Sequence, residues 1–106
     1  MKQITASELI KTGSYINGSW CQAAEHFAVV NPANQQQLVE VADAGAVEAE
    51  QAVLAASAAF AGWAALPAAK RSELMQRWYQ LIMQHQHDLA RLLTLEQGKP
   101  LAEAKG

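Results

Sequence analysis

Val47 to Trp63 reads VEAEQAVLAASAAFAGW, and within it Ala49, Val53, Ala56, Phe60 and Trp63 recur at steps of four and three. That period places them on one face of an α-helix, with Glu48, Glu50, Gln51 and alanine filler on the other. Alanine is the best helix former, and its small side chain lets a neighbour approach closely, so this helix is expected to pack against another layer. Gly62 and then Leu66-Pro67 are expected to end it.

Downstream, Leu74, Trp78, Leu81, Ile82, His85, Leu89, Leu92 and Glu96 track along one side from Ala68 to about Gln97, where Gly98 supplies a stop. Unbroken, that stretch would span roughly 45 Å at 1.5 Å per residue, against about 33 Å for a compact sphere of this chain length. Either the helix breaks near His85 to Asp88, or its far end rests on protein outside this chain. Lys99-Pro100-Leu101-Ala102-Glu103-Ala104 then starts another helix with Pro in its first turn, and the sequence stops at Gly106. An overlong helix and an unfinished one are what a domain cut short would show.

Upstream, the pattern is of short strands and turns, and composition changes near Asp43 to Gly45. Ser14-Tyr15-Ile16 and Ser19-Trp20-Cys21 flank Asn17-Gly18, the pair best suited to the positive φ angles of a type I′ hairpin. Phe27 to Val30 and Leu38 to Val41 form a second pair around Asn31-Pro32 and a Gln run. The expected arrangement is a small antiparallel meander over residues 1–45, followed over 46–106 by two long helices and the start of a third.

The chain has 106 residues, 51% hydrophobic and 17% charged, enough apolar surface for a single globular core. A net charge of −2, with 8 scattered Lys and Arg, argues against nucleic acid or an anionic membrane as partner. One cysteine makes no internal disulfide, and no Cys/His group has zinc spacing. The polar N-terminus has no signal-peptide core, and nothing approaches 18 consecutive apolar residues, so a cytoplasmic chain is expected.

Taken in order, Tyr15-Ile16-Asn17-Gly18-Ser19-Trp20, Val30-Asn31-Pro32-Ala33, the run around Ala52 to Ala56 with Phe60 and Trp63, Arg71, and Thr94-Leu95-Glu96-Gln97-Gly98-Lys99-Pro100-Leu101 resemble the N-terminal portion of the aldehyde dehydrogenase superfamily. The run from Met83 to Gly106 is most similar to bacterial succinate-semialdehyde dehydrogenases and to the related glutarate-semialdehyde enzymes. The resemblance covers about Tyr15 to Gly106. It implies an α/β parent fold and NAD(P)-dependent oxidation of an aldehyde to an acid. In that chemistry a thiolate adds to the carbonyl, hydride leaves for NAD or NADP, and water releases the acyl group. It also implies a small-molecule aldehyde as partner, a homo-oligomeric parent, and a nucleophilic Cys, a general-base Glu, an oxyanion Asn and cofactor contacts that all lie beyond the matched region. No catalytic, cofactor-binding or metal residue is therefore assigned within this chain, and the chain alone is expected to be inactive.

Individual residues read the same way. Cys21 follows a hairpin turn, with no His, Lys or helix N-terminus near it in sequence, and reads as a strand residue and not a nucleophile. His85 and His87 fall on opposite sides of a helix and cannot share a metal there. His85 reads as a packing residue, and His87-Asp88 as a helix break or cap. Gly98-Lys99 lacks the phosphate-loop pattern, since Leu93 stands where Gly is needed and Pro100 where Ser or Thr is needed. Phe60, Trp63 and Trp78, on faces expected to meet, read as core. The resemblance places a backbone-carbonyl site for a structural monovalent cation near the Asn31-Pro32 turn, which makes Val30 and Glu96 candidates without assigning a metal to them. The alternative to an enzyme portion is a stand-alone helical interaction module with an exposed apolar face.

Overall fold

The computed structural model describes residues 1 and 3–106. A 3-10 turn at Ser7–Leu9 precedes strands β1 (Ser14–Ile16), β2 (Ser19–Cys21), β3 (His26–Val30) and β4 (Gln37–Ala42), and then helices α1 (Ala46–Ala65), α2 (Ala68–Gln84), α3 (Gln86–Gln97) and α4 (Leu101–Ala104).

The strands are antiparallel as the turn chemistry requires, but they form two separate hairpins and not one continuous sheet. Asn17 and Gly18 take φ of 50° and 80°, the mirror-image turn this residue pair favours, and set the register Ile16↔Ser19. Across that hairpin the Tyr15 and Trp20 rings sit 5.1 Å apart, with the Lys11 ammonium 5.5 Å from the Trp20 ring centre. In the second hairpin, Val29 pairs with Val39 before an irregularity at Val29/Val30. Its turn is built by Asn31, whose Oδ1 accepts from the Ala33 N–H at 2.9 Å and whose carbonyl accepts from Gln35 at 2.8 Å.

Leu66-Pro67 ends α1 as expected, with the Leu66 N–H donating to the Trp63 carbonyl, whereas Gly62 lies within the helix. A single helical glycine costs only about 1 kcal/mol against Ala, which the long alanine run around it absorbs. The long stripe divides at His85, whose φ of −102° and ψ of 11° separate α2 from α3. Gly98 stops α3 with φ of 82° in the left-handed region. A Cβ there would stand 3.1 Å from the Pro32 Cγ, so the stop and the second hairpin's turn are in contact. Gly98→Ala is expected to destabilise the chain by about 1–2 kcal/mol, because both the positive φ and the crowding oppose it. The denaturant midpoint measures this, and an unchanged midpoint would count against the packing described.

The core lies where hairpin β3–β4, the N-terminal arm and α3 meet, with Ile4 and Ala90 buried. The aromatic residues read as core are not in it: Phe60 is 69%, Trp78 60% and Trp63 40% exposed. The reason is which face of α1 finds a neighbour. Hairpin β1–β2 sits against Ala52, Ala55, Ala56 and Ala59, forming a groove with Tyr15 to Gly18. The alanine side admits the backbone closely, and among the described residues no element lies over the larger side chains. The stripe of α2 and α3 is split likewise, bare at Trp78, Leu81 and Ile82 and covered at Leu89, Leu92 and Leu93.

The result is an extended molecule of 48 × 34 × 20 Å with a radius of gyration of 16.6 Å. A compact chain of this length would have about 13 Å. Its accessible surface is 7787 Å², roughly 2,000 Å² above what a folded monomer of this mass exposes.

Candidate functional site

The chemistry-bearing side chains are dispersed. Cys21 is half-buried at the end of β2, and its Sγ donates only to the Ser19 carbonyl, at 3.8 Å. The His26 Nε2 lies 3.1 Å from the Gln22 Oε1, while the Gln22 Nε2 donates to the Thr12 Oγ1 at 3.1 Å. That polar chain runs over the surface and does not include Cys21. His85 is half-buried at the helix break and His87 is exposed. Lys99 follows the Gly98 stop. No group of three or more His, Cys, Asp or Glu is placed to hold a metal ion among the described residues.

Val30 and Glu96 belong to parts that do converge, since the Asn31-Pro32 turn touches Gly98 just past the end of α3. Val30 is 37% exposed at the end of β3. Glu96 is exposed and edges an apolar cavity of about 260 Å³ with Val29, Val39, Leu92 and Leu93.

The residue missed by sequence reasoning is Asp88. With His87 it reads from the sequence as a helix break or cap, and the structure places it in the first turn of α3. In the structure it is buried and holds the far end of the chain. Its Oδ2 accepts from the Ala6 N–H at 2.7 Å and its Oδ1 from the Thr5 N–H at 3.1 Å. Beside it, the Arg91 Nη1 donates to the Gln3 carbonyl at 2.8 Å. Nothing in the spacing signals a partner more than eighty positions away.

The Ala6 and Thr5 amides hold the Asp88 carboxyl below its usual value of 3.8, helped by His87 and Arg91 and opposed by burial. A lowered folded-state value means that the stabilisation is complete above the unfolded value and is lost as pH falls through the folded one. An NMR titration following the Ala6 amide proton is expected to show its midpoint below 3.8. A midpoint at or above that value would contradict the two hydrogen bonds.

A dinucleotide cradle needs free N–H groups at a helix start and glycines that let a pyrophosphate approach. At the start of α1 the Gly45 N–H already donates to the Glu48 Oε2 at 2.9 Å, which puts a negative charge where a phosphate would have to sit. The two positive-φ glycines, Gly18 and Gly98, lie in a hairpin turn and at a helix end. The start of α1 is therefore taken by Glu48 and offers no such cradle.

Comparison with known proteins adds what the geometry lacks. The family model described as "Aldehyde dehydrogenase family" matches residues 20–106. The chain is 51% identical to a 3-sulfolactaldehyde dehydrogenase of Pseudomonas putida, over 100% of this chain and 22% of that protein. It is 47% identical to the NADP(+) succinate-semialdehyde dehydrogenase of Escherichia coli, over 98% of this chain and 22% of that one. The crystal structure of succinate-semialdehyde dehydrogenase from Burkholderia pseudomallei superposes with a TM-score of 0.93 at 42% identity, covering 97% of this chain and 22% of that chain. The chain thus spans about a fifth of the length of the relatives it matches.

Proposed function

Because the chain belongs to the aldehyde dehydrogenase family, we propose that it is the N-terminal scaffold of a nicotinamide-dependent dehydrogenase that oxidises succinate semialdehyde, or a close analogue such as glutarate semialdehyde, to the acid. The observation that carries the scaffold reading is the bare apolar face of α1 and α2. The protein exposes roughly 2,000 Å² beyond the norm for its mass, and that face includes Phe60, Trp63, Trp78 and Ile82. Such a surface suits a layer of a larger core better than a solvated boundary. The substrate class is supported by the relatives' names, which specify short aldehydes bearing an acidic group, a sulfonate in one and a carboxylate in the other.

In this reading the nucleophile, the base and the contacts to NAD or NADP come from polypeptide outside this stretch. The present residues fix the backbone on which that polypeptide packs. The test is to read the coding DNA past the Gly106 codon and assay the product of the whole frame with succinate semialdehyde and each cofactor. Continuation in frame to dehydrogenase length, with aldehyde-dependent formation of reduced nicotinamide, is the expected result. A stop codon directly after Gly106 would overturn the reading and favour a stand-alone helical interaction module.

A further inference from the structure

We propose that residues 3–11 form a strap, clipped at its outer end by Asp88 and Arg91, that supplies one wall of the cavity between hairpin β3–β4 and α3. The strap is attached at two places. At its inner end the Thr12 carbonyl accepts from the Ala42 N–H at 2.7 Å, and Gly13 lies so close to the Cys21 carbonyl that a Cβ there would stand 2.5 Å from the oxygen. Those contacts lock Thr12 and Gly13 onto both hairpins. At its outer end the consecutive Thr5 and Ala6 amides each take one oxygen of Asp88, and the Gln3 carbonyl takes the Arg91 guanidinium.

Between these points the strap has no ladder of its own. Its backbone makes one 3-10 turn at Ser7–Leu9, and its local hydrogen bonds run from Leu9 to Ala6 and from Ile10 to Ser7. Leu9 and Ile10 form one wall of the cavity of about 260 Å³, Val39 and Leu92 are among the apolar residues that line it from the hairpin and α3, and Lys11 and Glu96 also border it. Apart from the buried Ile4, a segment with a single short turn is retained by few groups, so its attachment depends strongly on the clip. Three hydrogen bonds in which one partner is ionised are the strongest polar contacts available to it. Release of the clip would swing the strap about Thr12 and open the leucine face of α3 while the hairpins and α1 stay in place.

Hydrogen exchange followed by mass spectrometry on the 106-residue chain tests this, comparing the peptide that covers the strap with peptides from α1 and from β3–β4. In the unaltered chain the strap amides are expected to be protected. In Asp88→Ala they are expected to exchange about tenfold faster or more, because both donors are left without their charged acceptor. The α1 and β3–β4 peptides should stay unchanged. Ala6→Pro removes the shorter of the two carboxylate bonds from the strap side without touching α3, and should give the same local acceleration. It decides the matter if Asp88→Ala loosens every peptide. A strap already fully exchanged in the unaltered chain, or unchanged by Ala6→Pro, overturns the proposal.

Discussion

Incubated with succinate semialdehyde and either NAD or NADP, the 106-residue chain by itself is expected to form no reduced nicotinamide above the protein-free rate. Enzymes of any class accelerate their reactions by about a million-fold or more, and that requires a nucleophile, a base and charge-stabilising donors within hydrogen-bond reach of one reacting atom. The only thiol, Cys21, donates to the carbonyl of Ser19 on its own strand. The nearest described imidazole in sequence, His26, is engaged with Gln22 and not with the sulfur. A whole-frame product that is active beside an inactive 106-residue chain is the paired outcome expected. Aldehyde-dependent turnover by the short chain, lost on Cys21→Ser, would show that this reading of Cys21 is wrong.

Sedimentation of the isolated chain is expected to show concentration-dependent assemblies and not a single monomer. Its excess surface of roughly 2,000 Å² exceeds the ~800 Å² that each partner contributes to a stable interface. No charged or His side chain occurs from Gln51 to Ala69 to oppose association. Phe60→Gln and Trp78→Gln keep good helix formers on α1 and α2. Each removes apolar area that burial would stabilise by about 2 kcal/mol, so each is expected to weaken association by roughly tenfold to a hundredfold. A monomer that unfolds cooperatively at all concentrations would contradict this, and unchanged association in both variants would place the contact on another face.

Local features were legible wherever one or two residues dictate the backbone. Asn17-Gly18 specifies its turn because few other pairs tolerate two positive φ angles, and the structure holds both. Gly98 specifies the end of α3, and Pro67 the end of α1, through backbone geometry independent of their surroundings. The separation of the two hairpins was not legible, since nothing in the alternation of β2 and β3 says whether they pair. The exposure of Phe60 and Trp78 was not legible either. Periodicity identifies an apolar face but not whether something covers it.

Asp88 marks the same limit from the polar side. Beside His87 it is readable as a helix break or cap, but its partners Thr5 and Ala6 are brought to it only by the path of the arm across the core. The sequence by itself determined the order and type of the elements, their turns and stops, and the family to which the chain is similar, because those depend on backbone restrictions and on local residue patterns. The tertiary structure alone decided which side of α1 meets the first hairpin, that the two hairpins stand apart, and that the N-terminal arm is tied to α3. Each of these depends on which surfaces meet in space, and contact between residues far apart in the chain leaves no periodic trace in the sequence.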